Sequence, residues 1–471
     1  MQSNLRLFWY LCWTICGLGS PYLLLAQTPV IAATNLKKGE VVDTLRCEKA
    51  PDYSYAYYLP SNYDAHQKWP IVYIFEPMAR GALPVDSFQV AAEQYGYIVV
   101  GSNNSRNGPW ANMFEAANHL FEDTETRFAI DLKRVYTAGF SGGSRMATAT
   151  AVITEKIAGV IACGAAFPSA VAYRPTEQTP PYACFGLVGD RDMNYQEMHK
   201  MEAQLQDWHF ATRLRIFPAG HQWPSPDLLT EALEWMECQA MTSRKIPRDT
   251  ALIDRQKTRL LQQIQTQKQN ENWVALGRHY QYFLKEFPED QTTGIAQAWK
   301  ALSTSTVYQE AVDTWEQAKT HEMNQRGIYR KEIRRVARQK SMTDSIRWWW
   351  KGTLADLRKQ EGNAPLWESQ RAARTLNMIS AQSIETAWVH LSKNEYNPAI
   401  QLLKLWKMVH PDRPWPDYQL ARAQALNGQK KAAIKSLKRA LEKGLDKKAL
   451  IRDAAFDSLR SAKKFKKLLE E

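Results

Sequence analysis

From Asp52 to about Gln239 the chain alternates between two hydrophobic patterns. Short, nearly continuous apolar runs at 53–59, 71–75, 97–100, 135–138, 159–162, 183–188 and 213–217 predict strands buried on both faces. Between them, at 85–94, 112–121, 145–154, 195–208 and 227–238, apolar residues recur at helical spacing. Buried strands alternating with amphipathic helices predict an α/β domain: a largely parallel sheet covered on both faces. In such a sheet the carboxyl ends of the strands form one rim, and ligands bind there.

Around Met241 the pattern changes. Glycine becomes scarce, Gln, Lys, Arg, Ala, Leu and Trp take over, and apolar residues keep a helical period through the rest of the sequence. Near its end an internal repeat emerges: Ala399, Ile400 and Leu403 recur as Ala433, Ile434 and Leu437, a step of thirty-four residues. That is the period of tetratricopeptide repeats, and 418–427, Gly428 and 432–441 fit one helix–turn–helix unit. Trp273, Leu276, Gly277 and Tyr280 match the W-x-x-L-G-x-x-Y signature of the same repeat, although the rest of that unit departs from it. Residues 453–469 resemble the capping helices that close such arrays. The chain thus divides into a leader at 1–26, an α/β domain at 34–242, an all-α region at 243–384 with at most degenerate repeats, and tetratricopeptide-like repeats with capping helices at 385–471.

The leader has one early cation, Arg6, and then an apolar run from Leu7 to Leu25, as in a secretory signal peptide. Leu24-Leu25-Ala26 offers a cleavage site, with Val30-Ile31-Ala32 as a rival. Gly17, Gly19, Ser20 and Pro21 interrupt the run, which argues against a spanning helix. The expectation is an exported protein, periplasmic or secreted. Export permits disulfides among Cys47, Cys163, Cys184 and Cys238, but Cys163 and Cys184 lie in apolar runs that equally suit buried free thiols. No C-x-x-C motif or Cys/His cluster suggests a metal. The net charge of +12 is unevenly divided, about −6 over residues 1–242 and about +18 over 243–471. Export and the lack of a nucleic-acid motif argue against nucleic acid as the partner of the basic half. A protein, a peptide or an anionic surface fits it better. Trp348-Trp349-Trp350, between Arg347 and Lys351, reads either as a surface anchor or as helix packing.

The chemistry is concentrated at three strand ends. The run from Val135 to Arg145 reads VYTAGFSGGSR: a strand, then Gly139-Phe140-Ser141-Gly142-Gly143, then a helix. Strand, G-x-S-x-G and helix in that order are the context of a nucleophile elbow, a turn so sharp that its neighbours must lack bulky side chains. The strand at 183–188 leads into Gly189-Asp190-Arg191-Asp192, and the strand at 213–217 into Gly220-His221-Gln222-Trp223-Pro224. Acyl transfer needs a base for the serine and a carboxylate to orient that base. Ser141, His221 and Asp192 supply the three roles, with Asp190 as the alternative acid; Asp192 is preferred because it completes Gly-x-x-Asp.

On these segments, together with 68–75 and 131–136, the region from Tyr53 to Cys238 resembles the α/β-hydrolase superfamily. Within it the chain looks closest to secreted esterases of the dienelactone hydrolase, feruloyl esterase and polyhydroxybutyrate depolymerase type. The resemblance covers somewhat under half of the chain. It implies an oxyanion hole with the backbone N–H of Gly142 as one donor. The second would come from the loop Phe75-Glu76-Pro77-Met78-Ala79-Arg80-Gly81, which departs from the His-Gly-Gly spelling of lipases. Pro77 has no N–H, so the donor is expected from Glu76 or Met78. The Glu76 carboxylate is unexpected beside a forming oxyanion; Arg80 either neutralises it or lies on the surface. Asn107 and Trp110, in the polar loop 102–110, and Trp223 beside the histidine are expected to line the substrate site. Only a short loop, 167–181, separates the strand after the elbow helix from the Asp192 strand, which argues against a lipase lid and for a small or extended ester. The expected activity is therefore that of a serine carboxylesterase without metal or organic cofactor. The same triad cleaves amides, which leaves a peptidase as an alternative. A non-catalytic scaffold, with the repeats as the working part, is the other.

Overall fold

The computed structural model describes residues 36–290 and 294–470; the leader and its cleavage sites lie outside them. The chain forms two compact units, which divide between Thr314 and Trp315.

The first unit is built on an eight-stranded sheet. Its strands are β1 (Val41–Arg46), β2 (Ser54–Tyr58), β3 (Trp69–Phe75), β4 (Ile98–Ser102), β5 (Ile130–Phe140), β6 (Gly159–Cys163), β7 (Ala183–Gly189) and β8 (Thr212–Phe217). They lie in the order β1-β2-β4-β3-β5-β6-β7-β8. β2 runs antiparallel to β1 and β4, and every other pair is parallel. Side chains alternate between two cores, as the strand period requires. Ile71, Tyr73 and Phe75 join one core with α2 (Trp110–Arg127), α3 (Gly142–Thr154) and α4 (Tyr195–Asp207). Val72 and Ile74 join the other with α1 (Ala82–Tyr95) and α5 (Pro226–Thr242). Both faces are thus covered, which is why the central strands read as unbroken apolar runs. β1 was not expected from the sequence. It is an edge strand with no buried residue, so it carries no clear alternation.

The compositional break near Met241 is not the boundary of this unit. The helices α6 (Thr250–Gln269) and α7 (Trp273–Glu286) belong to it and reach β8 through their side chains. Arg213, on β8, is 2% exposed and pairs with Glu286; its Nη1 also donates to Gln256 Oε1 at 3.3 Å. The Trp235 indole N–H donates to the same Glu286 at 3.1 Å. The Leu214 N–H, on the sheet edge, donates to the Tyr282 hydroxyl at 3.0 Å, and that hydroxyl bonds Glu202 on α4. A buried guanidinium needs its counter-charge, and here the counter-charge lies beyond the compositional break. The W-x-x-L-G-x-x-Y match falls on α7, with α8 (Gly294–Ser303) after it.

The helix α9 (Thr306–Ala337) carries the chain into the second unit, which continues through α10 (Asp344–Asn363), α11 (Leu366–Ser392), α12 (Tyr396–Val409), α13 (Pro414–Leu426), α14 (Lys430–Glu442), α15 (Lys448–Arg452) and α16 (Lys463–Glu470). The thirty-four-residue step relates α12 to α14: Ala399, Ile400, Leu403, Ala433 and Leu437 are all buried. Gly428 makes the turn between α13 and α14 with φ +71°. Asp417, fully buried on α13, is ringed by Lys407, Arg439 and Lys443 at 2.5–3.0 Å. The tryptophan triplet on α10 divides its roles: Trp350 is fully buried while Trp348 is 77% exposed. Among the described residues no helix is long and apolar enough to cross a membrane, and Cys47, Cys163, Cys184 and Cys238 are free thiols.

Candidate active site

Five parallel strands, β3, β5, β6, β7 and β8, end on one rim, and backbone hydrogen bonds tie the loops there together. Ser141 N–H donates to Cys163 C=O at 2.8 Å, Gly164 N–H to Leu187 C=O at 2.8 Å, and Asp190 N–H to Phe217 C=O at 2.9 Å. Each loop is thereby pinned to the end of the neighbouring strand.

Ser141 sits between β5 and α3 with φ +53° and ψ −118°, a left-handed backbone that a side-chain-bearing residue seldom adopts. The turn is tight enough to press Gly139 against Gly143: a Cβ on Gly139 would lie 2.3 Å from the Gly143 carbonyl. A Cβ on Gly143 would lie 1.8 Å from the Phe75 carbonyl oxygen, so the elbow abuts the end of β3.

The serine hydroxyl lies 2.9 Å from His221 Nε2. His221 Nδ1 lies 3.0 and 2.9 Å from the two oxygens of Asp192. A carboxylate can only accept, so Nδ1 carries the proton and Nε2 is left to accept from Ser141. Asp192 is 1% exposed and His221 20%, so the acid is shielded while the imidazole reaches the surface. Asp192 Oδ1 also accepts from Asn194 N–H at 2.8 Å, and Asn194 Nδ2 donates to Gly164 C=O at 2.7 Å. Asp190 goes elsewhere: its carboxylate accepts from Ala219 N–H at 3.1 Å and so braces the loop that carries His221. Of the two acids, Asp192 is the one that meets the imidazole.

The loop after β3 separates the two expected oxyanion donors. Met78 N–H is already committed, donating to Glu76 Oε2 at 2.7 Å. This corrects the expectation for Met78, whose amide is held by the carboxylate two residues back; its side chain is 58% exposed. The Glu76 nitrogen lies beside the elbow, 3.3 Å from where a Gly143 Cβ would stand. The Glu76 carboxylate is fully buried and bonded to Arg80, which settles Arg80 as its partner. That bond holds the guanidinium pKa above its usual value.

Asn107 N–H donates to Pro77 C=O at 2.9 Å, and its side chain covers Gly142: a Cβ there would meet Asn107 Oδ1 at 1.8 Å. Trp223 reaches the histidine through an aromatic relay. Its ring lies 5.5 Å from Phe140, and the Phe140 ring lies 4.6 Å from His221. Trp110 is the first residue of α2, not a loop residue, and its ring packs on Phe114 and Tyr173. Phe140 and Asn194 were missed in the sequence. Phe140 is the variable position of the motif, which carries no signal of its own. Asn194 was legible as Asp-x-Asn, the spacing of an Asx turn.

A mostly parallel sheet in this order, with a serine on the turn after β5 and the acid and histidine past β7 and β8, is the α/β-hydrolase fold, here followed by a large helical region. Among solved structures the chain is similar to an S-formylglutathione hydrolase from Staphylococcus aureus, at 14% identity over 43% of this chain and 98% of that one, with a TM-score of 0.35. It is also similar to Est1E from Butyrivibrio proteoclasticus, at 13% identity over 42% and 100%, TM-score 0.34. An esterase from Pyrobaculum calidifontis matches at 12% identity over 45% and 89%, TM-score 0.36. No family model and no curated protein matches the chain.

Proposed function

We propose that the protein is an exported serine hydrolase that cleaves carboxylic esters through an acyl-enzyme. What supports this most directly is the unbroken hydrogen-bonded line from Ser141 Oγ through the His221 ring to the Asp192 carboxylate, on a strained serine turn. In this reading Ser141 attacks the ester carbonyl as its proton passes to His221 Nε2. Asp192 stabilises the imidazolium that forms. The N–H groups of Gly142 and Glu76 stabilise the negative charge on the former carbonyl oxygen. Collapse of the tetrahedral intermediate breaks the ester C–O bond, and His221 returns the proton to the leaving alcohol. Water then repeats the sequence on the acyl-enzyme, releasing the carboxylic acid and free Ser141.

A small or extended ester suits the rim. Between Cys163 and Ala183 the only regular element is the short turn Val171–Tyr173, and no helical lid interrupts the loop. Export rests on the leader sequence. Residues 385–471 are assigned to tetratricopeptide-like repeats that bind a protein, peptide or anionic surface, on the strength of the thirty-four-residue step and the basic charge of 243–471.

Labelling of the purified protein with a fluorophosphonate probe tests the reading, with Ser141→Ala and His221→Ala alongside and short p-nitrophenyl esters as substrates. The wild type is expected to label and turn over, and the two variants to do neither. A folded wild type that neither labels nor hydrolyses refutes the assignment.

A further inference from the structure

The loop Glu76-Pro77-Met78-Ala79-Arg80-Gly81 turns sharply beside the elbow without a glycine in its first five positions. A buried charge holds it. The Glu76 carboxylate accepts from Met78 N–H at 2.7 Å, from Arg80 N–H at 3.1 Å, and from the Arg80 guanidinium at 3.2 Å (Nε) and 2.5 Å (Nη2). All of these donors come from the next four residues, so the loop is wrapped around its own first side chain. Ala79 takes a left-handed φ of +62° within the wrap, and its N–H donates to Glu76 C=O at 3.0 Å. The loop after β4 holds the outside of this one: Asn107 N–H donates to Pro77 C=O at 2.9 Å, and Gly81 N–H to Asn103 Oδ1 at 3.1 Å.

This arrangement serves two purposes at once. A buried carboxylate next to a developing oxyanion would oppose it, and the guanidinium cancels that charge. The same bonds fix the backbone from which the second oxyanion donor projects, and such donors act only when held in place beforehand. We propose that Glu76 and Arg80 are positioning residues, an ion-pair clamp that sets the loop so that the Glu76 N–H faces the oxyanion. The proposal rests on the hydrolase reading above.

The test compares wild type with Glu76→Gln, Arg80→Ala, Arg80→Lys and the double variant Glu76→Gln/Arg80→Ala on a short p-nitrophenyl ester. Rates are expressed per active site, counted by the extent of fluorophosphonate labelling, and melting is followed in parallel. Glutamine presents an amide NH2 where the loop offers only donors, so Glu76→Gln is expected to lower kcat about 10–100-fold with KM nearly unchanged. Arg80→Ala is expected to lower kcat in the same way, and Arg80→Lys to restore part of it. The double variant should lose no more than the worse single one, because both act through one loop. A purely structural role would reduce the melting temperature or the number of titratable sites and leave kcat per site alone. An active wild type with kcat per site unchanged in both Glu76→Gln and Arg80→Ala overturns the clamp and spares the hydrolase reading. Arg80 is half exposed, so its variants decide the matter even where Glu76→Gln does not fold. An inert, folded wild type overturns both.

Discussion

Two adjacent glycines in the elbow should respond to very different degrees to the same added methyl group. At Gly143 a Cβ would stand 1.8 Å from the Phe75 carbonyl oxygen, where real contacts keep at least 3.0 Å, so the two must part by about 1.2 Å. The obstacle is backbone of a central strand, paired on both sides, and it cannot swing away. The strain therefore falls on the elbow and on the loop that starts at Glu76. Overpacking of this kind costs about 1–3 kcal/mol of stability. A displacement of about 1 Å between reacting groups costs roughly 10²-fold in rate. At Gly142 the nearest atom is Asn107 Oδ1, the tip of an exposed side chain that can rotate out. Gly142→Ala keeps its backbone N–H and gains about 0.5–1 kcal/mol of helix preference. Gly143→Ala is thus expected to lose about two orders of magnitude in kcat and to melt lower, while Gly142→Ala loses only a few-fold and melts no lower than wild type. Ester hydrolysis per titrated site and thermal melting read both quantities. Equal losses in the two variants, or wild-type kcat in Gly143→Ala, would refute the close approach of elbow and β3 on which the oxyanion geometry depends.

Asp192→Asn presents the wrong hydrogen-bonding group to His221 Nδ1 and is expected to lower kcat about 10³–10⁴-fold. Asp190→Asn still offers an oxygen to Ala219 N–H and should stay near wild type; steady-state kinetics of the pair separates the two acids. Burial pushes His279 down to about 3, with Arg278, Arg215 and Arg213 adding to it and a bond to Ala275 C=O opposing it. Its folded pKa lies below the unfolded value, so the neutral ring contributes stability above about pH 6.5 that is lost as pH falls toward 3. Urea denaturation at pH 7 and pH 5 should show about 2 kcal/mol less acid destabilisation in His279→Gln than in wild type. In the second unit, Trp350→Ala should cost about 3–5 kcal/mol and Trp348→Ala within about 0.5 kcal/mol, measured by melting of the full chain.

The sheet and its helices were legible because their residues face two cores: a central strand such as β3 has no polar face to confuse its period, and α5 carries its apolar residues on one side. β1 escaped because an exposed edge strand needs no such pattern. Trp110 was taken for a loop residue because the polar run 102–109 obscured the start of α2, although Pro109 before it suits a helix start. At the site, Ser141, Asp192 and His221 announced themselves through short motifs at strand ends. Spacing favoured Asp192 over Asp190 through Gly-x-x-Asp, but which carboxylate meets the imidazole depends on how β7 and β8 hold their loops. Likewise the choice between the Glu76 and Met78 amides depended on where the Glu76 side chain folds, a three-dimensional fact with no one-dimensional signature. The compositional break and the end of the first compact unit differ for the same reason: composition records where glycine becomes scarce, whereas Arg213 records where its counter-charge lies.

The docking of α7 on β8 also bears on how this chain can be cut and recombined. β8 is the last strand of the sheet, and an open edge strand recruits strands from other molecules. Here the Tyr282 hydroxyl occupies the outward N–H of Leu214, and Lys285 reaches the Phe210 carbonyl. A fragment ending at 242 would uncover that edge and deprive Arg213 of both Glu286 and Gln256, so its natural fate is self-association. A junction after Thr314 leaves the edge sealed. Any lineage that exchanged the distal helices for another module would therefore have had to carry the first helices after the sheet along with it, as a fixed part of the enzyme-like half.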